Sequence, residues 1–255
     1  MPIAALSRML AALSLLFACA SALSEKPVSL IVDFDASNPP LMYQDQQGVA
    51  GLYPLLVSTI CHRAGIAAVQ RAVSWREALQ ELGAGRAAAG GIIKTVNREV
   101  LFDFSQPLFY ESVVMAYAAP GKGYRKLEDL DGKRVGVIAG WSYGNAFDRA
   151  RRQGRFAALD GDSDQQNLRQ LRLGRLDVVL GIREALQLAI QENAYRDLPL
   201  SHEALVTNPS FLAINKTSPQ AALLRRFNHA LHAMRQDGSY DRLVNGYLAK
   251  TQAAR

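Results

Sequence analysis

Apolar residues recur along this chain at two periods, and the switches between them mark out its elements. After Pro27 the run VSLIVDF is almost continuously apolar, as expected of a strand buried on both faces, and the paired prolines of SNPPLMY predict a loop over 37–43. From Pro54 the period lengthens: Leu52, Leu55, Leu56 and Ile60 share a helical face, and Gly65 follows where a C-terminal cap belongs. Ser74-Trp75-Arg76-Glu77 has capping-box spacing and predicts a helix ending near Gly83. Strand-like AAAGGII and SVVMAYA then flank a segment that carries Arg98.

The alternation continues. KLEDLDGK reads as a short helix and turn, RVGVI as a strand, and SYGNAFDRARRQG as a helix with Ser142 at its N-cap. FAALD, DSDQQNLRQLRLG, LDVVL and IREALQLAIQEN repeat strand and helix, and SFLAIN is a further strand. Ser218-Pro219 opens a long helix with Leu223, Leu224, Phe227, Leu231 and Met234 on one face, and a last helix carries Leu243, Val244 and Tyr247. Alternating elements of this kind imply mostly parallel sheet covered by helices, an α/β fold. No internal repeat and no low-complexity linker interrupts it.

Composition changes the picture at the N-terminus. MPIAALSR followed by the short apolar run MLAALSLLFACA reads as a secretory signal peptide over 1–24, cut after Ala20 or Ser24. The run is too short for a membrane span, which needs roughly 20 apolar residues. Export predicts a periplasmic protein; a lipid anchor on Cys19 is the alternative, opposed by Phe17 where a small residue is usual. Cleavage leaves Cys61 as the single thiol, so stability must come from an apolar core, which 255 residues at 49% hydrophobic content can supply. It also removes Arg8, one unit of the +6 net charge. The remaining Lys and Arg are scattered apart from short knots at Arg149-Arg151-Arg152 and Arg225-Arg226, without interleaved aromatics, so nucleic-acid binding is not expected.

Several motifs bear on chemistry. GWSYG at 140–144 fits the G-x-S-x-G pattern between a strand and a helix, so a serine hydrolase has to be weighed, with Asp160 or Asp177 and His202, His229 or His232 as partners. Against it, no HGG-type oxyanion segment lies upstream, and the same glycines suit a tight turn that presents backbone N–H groups to an anion. HEALV lacks the second histidine of a zinc motif, and His229 and His232 lack a third ligand, so no metal and no cofactor are expected. GAGRAAAGG lacks the GK[ST] ending of a phosphate loop. Arg98 stands out instead, because its planar fork matches a carboxylate and it follows a glycine-bearing apolar strand whose end would lie in an open crevice.

From about Ser29 to Leu248 the chain resembles the family-three solute-binding proteins of bacterial ABC importers. The resemblance is carried by PPLMY with GLYPLL, SWREALQELGAGR, KTVNREVLFDFSQPLFY, LEDLDGKRVGVIAG, LRLGRLDVV and MRQDGSYDRLV, in that order. It implies a type II periplasmic binding fold: a first lobe from 25–114 and 205–255, a second from 115–204, and two crossing strands near SVVMAYA and LVTNPSFLAI. It further implies that Arg98, with Thr95, grips a ligand carboxylate, that Trp75 is an aromatic platform, that Gly91 offers backbone groups, and that Asn38 stands where an aromatic often lies. Trp141, Ser142 and Tyr143 would complete the carboxylate site from the second lobe.

The departures are informative. Ile182 stands where amino-acid binders carry an aspartate for the ligand's ammonium, Ile93 replaces a usual hydroxyl residue, and Ala88 replaces a usual aspartate. An ammonium buried unpaired would cost several kcal/mol. The pocket is therefore expected to suit a carboxylate with an apolar or aromatic remainder, or an ammonium satisfied from elsewhere. The resemblance implies a monomeric receptor with a small carboxylate ligand and an ABC permease as partner; a stand-alone sensor or a dehydratase-like enzyme on the same fold are the alternatives.

Overall fold

The computed structural model describes residues 29–118, 123–192 and 195–253. The expected signal peptide, both cleavage positions and Cys19 lie outside these residues. Chain order begins β1 (Leu30–Asp35), β2 (Ser37–Asn38), β3 (Met42–Asp45), β4 (Gly48–Ala50), α1 (Leu52–Ala64), β5 (Ala68–Val73), α2 (Trp75–Gly83) and β6 (Ala88–Ile93). It continues with α3 (Val96–Leu101), β7 (Phe102–Phe104), β8 (Phe109–Tyr117), β9 (Arg134–Ile138), α4 (Asn145–Arg152), β10 (Ala157–Gly161) and α5 (Asp164–Arg172). The last elements are β11 (Val178–Ile182), α6 (Arg183–Glu192), β12 (Val206–Asn215), α7 (Leu223–Gln236) and α8 (Ser239–Ala253).

Strands pair in the order β10-β9-β11-β8-β12-β6-β1-β5, with β7 also on β12. One half is the parallel set β5-β1-β6, the other the parallel set β10-β9-β11, and β8 and β12 lie between them as an antiparallel pair. β12 does two jobs along its length. Val206–Ser210 pairs with β8, Ser210–Ala213 pairs with β6 across a register shift at Phe211/Leu212, and Ala213–Asn215 pairs with β7. The chain thus crosses from the first half to the second along β8 and returns along β12. A register shift of this kind bends a strand locally, here where β12 runs along β6.

Local chemistry explains most boundaries. Ser74 Oγ accepts the Glu77 N–H at 3.2 Å and starts α2, while Gly65 ends α1 in the left-handed region at φ 64°, its N–H reaching the Cys61 and His62 carbonyls. Leu56, Ile60, Phe227 and Leu231 are fully buried where α1 and α7 cover the first half. In the second half Leu168, Leu171, Val179, Leu186 and Ile190 form a separate apolar cluster under α5 and α6. Cys61 is buried and free, and burial raises its thiol pKa to about 12, which leaves it inert.

Three expectations need correction. The segment 37–43 is not loop throughout, because β2 and β3 pair with β4 in a small antiparallel sheet. Ser142 does not cap α4: the helix begins at Asn145 with Gly144 at its N-cap, and the Ser142 hydroxyl is bonded to Asp148 instead. Ser218 caps a 3-10 turn over Pro219–Ala222, and α7 starts only at Leu223.

Candidate functional site

The two halves face each other across a seam formed at the C-terminal ends of the parallel strands, the position where open α/β sheets place ligands. Arg98 is carried by α3, directly after β6. Thr95, buried at 6% exposure, is the N-cap of that helix, its Oγ1 accepting the Arg98 N–H at 3.3 Å. The guanidinium therefore leaves a stapled turn with a defined direction. Its Nη1 donates to the Ile93 carbonyl at 2.8 Å, and its Nη2 donates across the seam to the Gly140 carbonyl at 3.1 Å. Among the described residues no carboxylate lies within ion-pair distance of it. Burial lowers its pKa to about 10, with the charge of Asp148 pulling the other way. An arginine held this way is still charged at neutral pH, and carbonyls occupy two of its five donors.

Aromatic residues fill the seam beside it. Trp75, the first residue of α2, donates from Nε1 to the same Gly140 carbonyl at 3.3 Å, and its ring meets Trp141 edge-on with centroids 6.1 Å apart. Trp141 in turn donates from Nε1 to Asp35 Oδ2 at 3.2 Å. Asp35 closes β1 and is almost wholly buried; burial raises its carboxyl pKa, opposed by hydrogen bonds from Ser37 and Trp141. Further along, the Ser37 hydroxyl lies 3.1 Å from the Asp162 carbonyl and Asn38 Nδ2 donates to Asp164 Oδ2 at 3.4 Å. Asp164, the first residue of α5, is 4% exposed, and burial together with the charge of Asp35 raises its pKa to about 7.

Of the residues expected at the site, Arg98, Thr95, Trp75, Asn38 and Trp141 converge on this seam. Ser142 stands at its edge, its hydroxyl donating to Asp148 at 2.7 Å and accepting the Gly144 N–H at 3.1 Å, with no imidazole among its partners. Tyr143 turns into the second half, where its hydroxyl donates to the Leu180 carbonyl and accepts the Ile138 N–H, each at 3.2 Å, so only its backbone is left to face the seam. Gly91 has φ 73°, and a Cβ there would sit 2.8 Å from the Tyr53 ring. His229 and His232 are exposed on α7, and among the described residues no group of three potential ligands could hold a metal.

Sequence reasoning missed the acids. Asp35 and Asp164 line the seam, and beneath it Glu111 of β8 accepts the Tyr53 hydroxyl, which also lies 2.5 Å from Ser210 of β12. Burial raises the Glu111 pKa to about 8, with the charge of Glu184 adding to it. Asp35 had a legible signal, a carboxylate at the end of a central parallel strand. Asp164 did not, because DSDQQ reads as a helix start: Ser163 does cap α5, accepting the Gln166 N–H at 3.2 Å.

A model of the bacterial extracellular solute-binding proteins, family 3, matches residues 30–250 of this chain. The L-cystine-binding protein TcyJ of Escherichia coli is 27% identical over 220 residues, covering 84% of this chain and 80% of that protein. Among solved structures, an ancestral arginine-binding protein bound to arginine superposes with a TM-score of 0.74 at 23% identity, covering 86% of this chain and 97% of that one. A histidine kinase sensor domain with similarity to periplasmic binding proteins gives 0.77 at 24% identity, covering 87% and 96%.

Proposed function

This chain belongs to the bacterial extracellular solute-binding proteins, family 3, and on that premise we propose that it captures a small carboxylate-bearing ligand, an amino acid or related organic acid, and delivers it to an ABC permease. The fold is the type II periplasmic binding fold, two α/β lobes joined by the crossing strands β8 and β12. Within the described residues the first lobe is taken from 29–114 and 205–253 and the second from the stretch between them, and the protein works as a monomer in the periplasm. Arg98 is the anion clamp, Trp75 and Trp141 pack against the rest of the ligand, and Thr95 fixes the clamp's direction.

The observation that carries this reading is the state of Arg98: partly buried at the seam between the lobes, its guanidinium bonded only to carbonyls, with no carboxylate within ion-pair distance among the described residues and Asp148 acting on it only from further away. A partly desolvated guanidinium without an anion carries a cost, and a ligand carboxylate supplies two charge-assisted bonds in matching geometry. Because Nη2 already reaches the second lobe through Gly140, an anion held there contacts both lobes only when they are closed. That differential contact is what allows a ligand to shift the hinge. Ser142 supports binding in preference to hydrolysis, since its hydroxyl is committed to Asp148 and lacks a histidine base.

The test is a thermal-shift screen with L-arginine, L-cystine and L-glutamine. A ligand at a hundred times its Kd stabilises by about 2.7 kcal/mol, which raises the melting temperature by about 5–11 °C at roughly 2–4 °C per kcal/mol for a chain of this size. Arg98→Ala is expected to abolish the shift. A shift of equal size in the variant contradicts the clamp.

A further inference from the structure

β8 and β12 cross between the lobes, and for a short stretch they do so alone. Pairing of β8 with β11 starts at Val113, and pairing of β12 with β6 starts at Ser210. Between those points 110–112 and 207–209 pair only with each other among the described residues. A two-stranded ribbon with no third strand beside it is where two lobes can turn on a few backbone dihedrals. Glu111 is the middle residue of that ribbon on β8, opposite Asn208, and it is 2% exposed. Tyr53 reaches it from α1 of the first lobe. From the second lobe it is faced by Glu184, in the first turn of α6 just after β11 ends at Ile182.

The hydrogen bonds here are one proton short. Glu111 Oε1 meets the Tyr53 hydroxyl, that hydroxyl lies 2.5 Å from Ser210 Oγ, and Ser210 Oγ lies 3.1 Å from the Phe109 carbonyl. Three contacts share two hydroxyl protons, because each hydroxyl donates once and a carbonyl only accepts. A proton on Glu111 fills the chain: the acid donates to Tyr53, Tyr53 to Ser210, and Ser210 to the carbonyl. Charge points the same way. Burial keeps Tyr53 and Tyr143, the titratable hydroxyls nearest Glu111, in their neutral forms. Glu184 Oε2 is buried without a hydrogen-bond partner. Burial raises the Glu184 pKa and the neighbouring Arg183 opposes the rise. Among the described residues no salt bridge reaches either glutamate.

We propose that Glu111 is a proton latch on the hinge: as a neutral acid it ties Tyr53 of the first lobe to the ribbon while Glu184 of the second lobe packs over it, and loss of its proton opens the lobes. Closure then takes up a proton. The lobes in this structure are closed, since Arg98 and Trp75 of the first both donate to Gly140 of the second. Opening separates α6 from α1, admits water to the ribbon and relieves the repulsion between two glutamates. The closed carboxyl holds its proton up to about pH 8, and in water it returns toward an ordinary 4.5. The closed form is therefore favoured in full at the acid end and loses that advantage as pH rises through about 8. The latch goes beyond the proposed capture of a carboxylate and adds that affinity for any captured ligand falls as pH rises.

The test measures the radius of gyration of the unliganded protein by solution scattering at about pH 6 and about pH 9, on either side of the Glu111 transition. Wild type is expected to expand at the higher pH. Glu111→Gln, whose amide keeps a donor toward Tyr53 at every pH, is expected to stay compact at both. Glu184→Gln removes the facing charge without touching the ribbon, so its expansion should be smaller and centred at lower pH; it serves as the second variant if Glu111→Gln fails to fold. A wild-type radius that is the same at both pH values, or an expansion that persists unchanged in both variants, overturns the latch. A second arm titrates L-arginine, L-cystine and L-glutamine at the same two pH values. A probe that binds should weaken by about tenfold or more at the higher pH in wild type and far less in Glu111→Gln; affinity independent of pH overturns the latch and leaves the Arg98 clamp standing. Failure of all three to bind at either pH counts against the proposed function, and the scattering result then decides the latch by itself.

Discussion

Arg98 was legible in the sequence, and Asp164 was not, for physical reasons. Arg98 follows a glycine-bearing apolar strand, where a cation has little reason to be unless it meets an anion, and the structure gives it carbonyl partners only. Asp164 sits one residue after a serine that caps α5, so local capping chemistry accounts for the pattern and hides the carboxylate's tertiary role. Tyr143 shows the opposite limit: an aromatic in a site-bearing loop whose ring packs inward against Phe147 with centroids 5.1 Å apart. Gly91 is a sharper single-residue case. Its φ of 73° and the 2.8 Å approach of the Tyr53 ring leave no place for a side chain. Gly91→Ala is expected to destabilise the protein by about 2–4 kcal/mol, combining backbone strain with overpacking, as read from denaturant midpoints; a change under about 0.5 kcal/mol would mean the neighbouring ring moves freely.

At the scale of elements, the strands and helices that announce themselves are those with one strong driving force. β1 and β6 are buried along most of their length and read as apolar runs, and α2 carries its own cap. The pattern does not announce β5, because Ala68–Val73 is a half-exposed sheet edge with Gln70 and Arg71 breaking the apolar run. Arg71 serves that strand by pairing with the buried Asp33 of β1 at 2.7 Å. A serine near a helix start suggests a cap, but at α4 the tight turn at Gly144, φ 105°, sets the boundary instead. Ser74→Ala removes a working cap and is expected to cost about 1 kcal/mol, lowering the melting temperature by about 2–4 °C. An unchanged melting temperature would show that the Trp75 packing alone fixes α2.

Across the whole molecule, the two lobes meet through acids and aromatics above a hinge that is itself acidic. Glu111 on β8 is faced by Tyr53 from α1, Ser210 from β12 and Glu184 from α6, and among the described residues no cation offsets it. Its carboxyl holds a proton more tightly when folded, at about 8 against an ordinary 4.5. The stability it contributes is therefore present in full below about pH 4.5 and is lost as pH rises through about 8. Asp164, raised to about 7, acts in the same direction. The melting temperature should fall between about pH 4.5 and about pH 8, the window those two groups span, and Glu111→Gln should flatten the decline; a melting temperature that rises across this range contradicts the buried protonated hinge. Ligand binding should also reduce the radius of gyration in solution scattering, since contacts from both lobes favour closure. The central claim is that a carboxylate is gripped by Arg98 between the lobes, and the most direct measurement compares the affinity of L-arginine with that of L-argininamide in wild type and Arg98→Ala. Wild type is expected to prefer the acid by about thirtyfold or more, the effect of roughly 2 kcal/mol from losing a charge-assisted pair, and the variant to lose that preference. Equal affinity for acid and amide in wild type, or a preference that survives in Arg98→Ala, would contradict the account.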